Sequence, residues 1–373
     1  MSSLPYSIPK PFKVSIIGSG NWGTAIAKLV AENCGSKPSI FHPTVNMWVY
    51  EEEIPSKGKL TEIINTEHEN VKYLPGVKLP ENLVANPDIV STVKDLDLLV
   101  FNIPHQFLGR ICLQLVGKVS PHTRAISCLK GLNVDKDGCK LLSQAITDTL
   151  GLHCGVLSGA NIASEVAREK WSETNVAYLK PDDFKGPGLD IDPFIIKNCF
   201  HRPYFHVRVI DDIIGTSVAG ALKNVVACGA GFVDGAGWGD NAKAAVMRIG
   251  LKEIIHFASY YEKFGIKGEA PKVSTFTEES CGVADLITTC SGGRNVRVGK
   301  YMIEHKVSAW EAEKILLNGQ SSQGIITAKE VHELLTTFNL QSEFPLMEVV
   351  YAIIYEDFDV NELPNVLEAD EDL

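Results

Sequence analysis

Two stretches of this chain carry residues that could act together on a small molecule. The first is Gly18-Ser19-Gly20-Asn21-Trp22-Gly23, directly after Lys13-Val14-Ser15-Ile16-Ile17. Val14, Ile16 and Ile17 form a short apolar, β-branched run that reads as a buried strand, and Thr24 to Val30 reads as a helix. Glycines between a strand and a helix suit a pyrophosphate. Gly18 would permit the tight turn, Gly20 would let the phosphates approach the backbone, and Gly23 would let helix pack on strand. The phosphates would meet N–H groups at the helix N-terminus. An ordinary strand–turn–helix can carry such glycines, but the order of elements favours a dinucleotide.

The second stretch is Gly220-Ala221-Leu222-Lys223-Asn224. Between Ile213 and Val233, Lys223 is the single charge, and Ile214, Val218, Leu222 and Val225 recur at helical spacing. A lysine on a helix ordinarily snorkels to water. On a helix this apolar its amine would be partly desolvated, with a lowered pKa, able to exchange protons near neutral pH. An acid of that kind, beside a hydride donor, is what reduction of a carbonyl requires.

Two further segments add polar groups. Cys128-Leu129-Lys130-Gly131 places Lys130 just beyond a strand, at the end where open α/β sheets bind ligands. Asp285, Thr288 and Thr289 stand at i, i+3 and i+4, and Gly292-Gly293 then leads to Arg294 at the start of a helix. An arginine beside a helix N-terminus suits a phosphate. Each feature alone is equally compatible with a structural role. With a dinucleotide fold they suggest a dehydrogenase acting on a small anionic carbonyl or alcohol.

The elements that must position these groups fall into two parts. Up to about residue 210 strand-like runs alternate with helix-like ones: Met47–Tyr50, Asp97–Phe101, Arg124–Cys128, Gly155–Gly159, Asn175–Leu179 and Tyr204–Val209, with helices over Lys140–Leu150 and Ile162–Lys170. That alternation predicts an α/β fold with a Rossmann-type, doubly wound sheet over 1–210. Beyond it the pattern is helical only: Ile213–Val233, Asn241–Phe264, Gly282–Cys290, Ala309–Leu317, Ile325–Thr336 and Pro345–Tyr355. An all-helical domain over 211–373 is expected to hold substrate and catalytic groups. The proline-rich start, residues 1–11, reads as a poorly ordered arm, and the acidic end, 368–373, as a frayed tail.

The strand Met47–Tyr50 runs into Glu51-Glu52-Glu53. In such a fold that position lies near the adenosine ribose, and carboxylates there favour NAD over NADP. A charge run is ordinarily solvated surface. The separation from the glycines exceeds the usual ~20 residues, which points to an insertion over Asn33–Pro38.

Composition sets bounds. With 373 residues, 45% hydrophobic and 22% charged, the chain is ordinary for a soluble protein of two or three domains. No unbroken apolar run of about 18 residues is present, so membrane insertion is not expected. The formal net charge of -11 argues against nucleic acid as a partner. It also means that an anionic substrate needs a locally basic site. The nine cysteines form no C-x-x-C pair and read as reduced, mostly buried thiols of a cytoplasmic protein, with no metal site.

Taken in order, Gly18 to Gly23, Ile103-Pro104-His105-Gln106-Phe107, Leu129-Lys130-Gly131, Gly159-Ala160-Asn161-Ile162-Ala163, Gly220 to Asn224 and Gly282 to Asn295 resemble NAD-dependent glycerol-3-phosphate dehydrogenases of the soluble eukaryotic type. The resemblance spans nearly the whole chain. It implies interconversion of dihydroxyacetone phosphate and sn-glycerol 3-phosphate by a homodimer. Lys223 would be the general acid and, in reverse, the base, with Lys130 and Asp285 completing the catalytic group. Lys130, Asn224, Thr289, Arg294 and Asn295 would hold substrate. Gly18, Ser19, Gly20, Asn21, Trp22, Gly23, Tyr50, Phe107, Lys130, Ala163, Arg294 and Gln323 would contact NAD, Gln323 by closing over it.

The chain departs from the family pattern at three places. Tyr50 stands where many relatives have phenylalanine, Ser321 where some have a cofactor-binding lysine, and Ser217 where a glutamate is common. Two other readings compete: a 3-hydroxyacid or hydroxyacyl-CoA dehydrogenase with a helical C-terminal half, and an NAD-bound protein without activity. The latter is disfavoured by the presence of Lys130, Lys223 and Arg294.

Overall fold

The computed structural model describes residues 6–135, 138–182, 184–186, 188–317 and 321–368. Short β-branched and apolar runs become the strands β1 (Val14–Ile17), β2 (Val45–Trp48), β3 (Glu53–Ile54), β4 (Gly58–Lys59), β5 (Leu83–Asn86), β6 (Leu98–Phe101), β7 (Arg124–Ser127), β8 (Leu132–Asp135), β9 (Gly138–Leu141), β10 (Cys154–Ser158), β11 (Ser172–Ala177) and β12 (Phe205–Ile210). The first half also carries helices α1 (Asn21–Ser36), α2 (Leu60–Glu67), α3 (Ile89–Thr92), α4 (Leu108–Leu115), α5 (Leu142–Leu150), α6 (Ala163–Ala167) and α7 (Pro193–Phe200). The helices α8 (Ile213–Ala236), α9 (Asp240–Ser259), α10 (Val273–Thr277), α11 (Asp285–Ser291), α12 (Arg294–His305), α13 (Ala309–Leu316), α14 (Gln323–Phe338), α15 (Pro345–Tyr355) and α16 (Leu363–Glu368) follow.

The chain forms two compact units, each drawing on separate stretches. The first comprises residues 1–129, 142–157 and 161–211, the second 130–141, 158–160 and 212–373. A single cut at residue 210 therefore omits two excursions that belong with the helices.

The first unit is built on a sheet in the order β12-β11-β10-β7-β6-β1-β2-β5. The pairs β1–β2, β2–β5, β1–β6, β6–β7, β7–β10 and β11–β12 are parallel. This is the doubly wound Rossmann architecture expected. The strand order reverses between β1 and β6, and that reversal opens the crevice where such sheets bind ligands. β1, β6 and β7 are buried along their whole length, as strands covered on both faces must be.

Several expectations change here. β2 ends at Trp48, so Tyr50 stands in the loop beyond it. The edge strand β5 escapes sequence reading because its four residues are only half buried. Asn33–Ser36, within the stretch read as an insertion, forms the last turn of α1, a helix of 16 residues. It is held there because the buried Asn33 amide donates to the Cys199 carbonyl at 2.8 Å. The start of the chain is tethered from Tyr6 onward. Tyr6 bonds Asp192, Ile8 packs on the core, and Phe12 is buried and bridged to Phe41. Residues 1–5 of the expected arm and 369–373 of the acidic tail lie outside the described residues.

The second unit is organised by α8. Its start is capped by Asp212, whose carboxylate accepts from Gly215 N at 2.7 Å and from Thr275 Oγ1 at 2.6 Å. It ends at Gly237, whose φ of 72° lies in the left-handed region that favours glycine. By length and apolar character α8 could cross a membrane, but 89% of its most apolar window is buried within the protein. α8 lies in a core shared with α9, α11, α12, α14 and α15. Gly231 and Gly299 set how near α12 lies to α8. A Cβ on Gly299 would come within 2.7 Å of the Cys228 carbonyl oxygen. Lys140 and Leu141, expected as the start of a helix, instead belong to β9, which pairs with β8 in an antiparallel hairpin. Leu132, Cys139 and Leu141 join the α8 core, and that burial fixes the hairpin's place.

Candidate active site

The glycine loop of the first unit leaves β1 at the reversal of strand order. Gly18 has φ of 106°, and a Cβ there would come within 2.6 Å of the Asn102 carbonyl oxygen. A Cβ on Gly23 would meet the Gly18 carbonyl, so both glycines are demanded by the protein itself. Gly20 differs: a Cβ there would meet nothing within 4 Å. The fold itself does not crowd position 20, and the loop is open there for a ligand to approach the backbone. α1 begins at Asn21 with no side-chain cap, which leaves its first N–H groups to a ligand. Beside them, both amide atoms of Asn102, which follows β6, are buried without a hydrogen-bond partner. Open backbone, an uncapped helix and an unpartnered amide together fit the pyrophosphate of a dinucleotide.

The loop is braced from below. Buried Asn70 donates to Ser19 O and to Thr24 Oγ1, both at 2.9 Å. Asn70 and Asn102 carry no motif, and sequence reading missed both. Trp22 packs inward against Phe205 and shares a small apolar cluster with Ala163. Tyr50 is 67% exposed and Phe107 48% exposed, leaving two aromatic faces open in loops after β2 and β6. The three glutamates after β2 are not one free cluster. Glu51 accepts from Thr61 Oγ1 at 2.5 Å, and Glu52 pairs with Lys72 and accepts from Tyr73 Oη at 2.5 Å. Glu53 is exposed.

Gly20→Val tests the loop. NADH affinity is expected to fall at least about tenfold, read by fluorescence titration, with Tm moving only a few degrees. Equal loss of stability and affinity would make Gly20 a folding residue instead.

In the second unit, Lys223, Asp285 and Lys130 come together. Asp285 is the first residue of α11, which continues without a break from the π-helical turn over Ser280–Ala284. Gly282 lets the preceding turn lie against the Thr275 and Phe276 carbonyls, and that turn aims Asp285 at α8. Its Oδ1 pairs with the Lys223 ammonium, and its Oδ2 accepts from Lys130 Nζ at 3.0 Å. Thr289, one turn along, donates to Oδ1 at 3.4 Å. Gly220, one turn before Lys223, brings Ser158 and Lys130 up against α8. Lys223 and Asp285 are buried, whereas the Lys130 side chain is 29% exposed. Burial lowers the Lys223 pKa to about 7; the Lys130 charge adds to that shift and Asp285 opposes it. The amine is therefore poised to hold or release a proton near neutrality.

Arg294 and Asn295 open α12 after an uncapped Gly293. Arg294 is exposed and Asn295 buried. Asn295 Nδ2 donates to Asn224 Oδ1 at 2.8 Å, so the two expected substrate ligands are joined to each other. Gln323 begins α14 and donates to Thr327 Oγ1 at 3.4 Å. Ser321 is exposed, and Ser217 turns its hydroxyl back onto the Ile213 carbonyl at 2.7 Å. Gln320, directly before Ser321, lies outside the described residues. Sequence reading also missed Ser322 and Glu313, which hold this segment in place.

A doubly wound sheet with its glycine loop, accompanied by a lysine–carboxylate–lysine group built on a buried ion pair, defines an oxidoreductase of the dinucleotide-binding class. Residues 13–183 match the family model for the N-terminus of NAD-dependent glycerol-3-phosphate dehydrogenase, and residues 212–365 match that for its C-terminus. The chain is 70% identical over 372 residues to NAD(+) glycerol-3-phosphate dehydrogenase 2 of Candida albicans, covering 100% of both. It is 60% identical over 359 residues to NAD(+) glycerol-3-phosphate dehydrogenase 1 of Saccharomyces cerevisiae, covering 96% of this chain and 90% of that one. A solved structure of the Saccharomyces cerevisiae enzyme superposes with a TM-score of 0.89 at 60% identity, over 96% of this chain and 100% of that one. The Coxiella burnetii enzyme gives 0.78 at 27% identity, over 97% and 100%. The chain belongs to the NAD-dependent glycerol-3-phosphate dehydrogenases, and NAD is its cofactor.

Proposed function

We propose that the chain reduces dihydroxyacetone phosphate to sn-glycerol 3-phosphate, with Lys223 as the acid and Arg294 on the phosphate. The observation that carries this reading is the pairing of the buried Lys223 and Asp285 with the part-exposed Lys130. NADH, when bound, supplies the hydride to the carbonyl carbon. Lys223 Nζ gives its proton to the carbonyl oxygen and takes one back in the oxidation. Asp285 holds Lys223 in place and offsets the burial of its charge. Lys130, on the other carboxylate oxygen, adds a second cation that stabilises negative charge developing on the substrate. Arg294, exposed at a helix start, offers a planar donor fork to phosphate oxygens. Thr289, Asn224 and Asn295 complete the substrate contacts, and Gly18 to Gly23, Tyr50, Phe107, Ala163 and Gln323 those to NAD, with Lys130 and Arg294 reaching both. On this reading the first unit binds NAD and the second binds substrate.

The direct test is NADH oxidation with dihydroxyacetone phosphate against dihydroxyacetone. Comparable kcat/KM for both would reject the phosphate-specific reading. A panel of 3-hydroxyacids separates the competing dehydrogenase class. NADH is expected to be favoured over NADPH, because the carboxylates after β2 outnumber the single lysine paired with them and repel a 2′-phosphate. Equal kcat/KM for the two cofactors would refute that electrostatic argument. A homodimer in the cytoplasm is part of the same proposal. All nine cysteines are buried and none is in a disulfide, which suits a reducing compartment.

A further inference from the structure

Ser322 lies immediately before α14, fully buried. Its hydroxyl donates to Asn295 Oδ1 at 2.5 Å, and Gly324 N donates to the same oxygen at 2.9 Å. Its own N–H donates to Glu313 Oε1 at 2.5 Å, which pins this segment to α13. A Cβ on Gly324 would press on the Asn224 carbonyl, so glycine is what lets α14 begin this close to α8.

The polarity of the network follows from elementary donor and acceptor rules. A backbone N–H can only donate, so the Asn295 atom facing Gly324 must be the amide oxygen. With two lone pairs, that oxygen is filled by Ser322 and Gly324. The Asn295 NH2 group must then face Asn224, where one hydrogen goes to Asn224 Oδ1 at 2.8 Å. What Asn295 retains for a further partner is one N–H, and no acceptor. The preceding residue, Arg294, carries a donor-only guanidinium, and the first turn of α12 has no side-chain cap. This corner addresses a group made of acceptors.

We infer that Ser322 is a positioning residue for substrate recognition: by helping to saturate Asn295 Oδ1 it locks the Asn295 amide with its N–H toward the substrate, so that the start of α12 selects phosphate oxygens over hydroxyl groups. The inference rests on the reading that Arg294 and Asn295 face the substrate phosphate. Without the Ser322 hydroxyl one lone pair of Oδ1 is released. The amide oxygen then keeps the Gly324 N–H as its remaining donor, so the amide is held less firmly in this orientation.

The test is a double-mutant cycle of Ser322→Ala and Asn295→Ala in the full-length enzyme. kcat/KM is read for dihydroxyacetone phosphate and for dihydroxyacetone, with NADH affinity and Tm recorded for each variant. Ser322→Ala is expected to lower the ratio of the two kcat/KM values about tenfold, the scale of one hydrogen bond to a charged ligand. Combined with Asn295→Ala it should add nothing, because Ser322 acts through Asn295. Multiplicative losses in the double variant would overturn the inference, as would equal losses on both substrates. Arg294→Ala is the reference. If it leaves the ratio unchanged, the phosphate reading fails and this inference with it. If it lowers the ratio and Ser322→Ala does not, only the role of Ser322 is refuted.

Discussion

Lys223→Ala is expected to lower kcat for ketone reduction by at least ~10²–10⁴-fold, the usual contribution of a general acid, with loss of a charge that stabilises developing alkoxide adding to it. NADH binding should persist, because the glycine loop belongs to the other unit of the chain. Alanine keeps α8 helical. It also leaves Asp285 buried with Lys130 as its remaining lysine partner, so some stability is lost. Tm and NADH titration therefore accompany the kinetics. A folded, NADH-binding variant with more than about a tenth of wild-type kcat would remove Lys223 from its role. The pH dependence gives a second check. With its pKa lowered to about 7, Lys223 is protonated below that value and neutral above it. Reduction uses the protonated amine, so its kcat/KM should fall as pH rises through this range. Oxidation uses the neutral amine and should rise. Both limbs should vanish in Lys223→Ala.

Arg294→Ala should act through the phosphate. A guanidinium–phosphate pair is bidentate and directional, and lysine cannot reproduce it. kcat/KM for dihydroxyacetone phosphate is expected to fall by orders of magnitude, and the poor activity on dihydroxyacetone far less. Binding energy from this remote group orients the carbonyl, so kcat should fall with affinity. Phosphite added with dihydroxyacetone should raise the wild-type rate by filling the same charge site, and should do so much less in the variant. An unchanged ratio of the two kcat/KM values would show that Arg294 is not the phosphate ligand and would turn attention to Lys130.

Much of the fold and of the site was legible along the chain because its signals are local. β1, the glycines and α1 are contiguous, and each glycine answers to a neighbouring backbone or to open space. Lys223 stood out as a lone charge on an apolar helix, and a buried helix is what the chain forms there. The motif order likewise matched the family that the comparisons establish. The tertiary structure decided what depends on partners distant in sequence. Asp285 became the bridge between Lys223 and Lys130 because the turn at Gly282 delivers α11 to α8. The hairpin β8–β9 joined the helical unit because its leucines are buried there, although in sequence it directly follows β7 of the sheet. Asn70, Asn102 and Ser322 have no distinctive sequence context; they matter through bonds made, or left unmade, across long separations. Local periodicity reports which face of an element is buried, whereas a hydrogen-bond partner is set by where two backbones meet, and small residues such as Gly299 and Gly324 determine that only once the helices have packed.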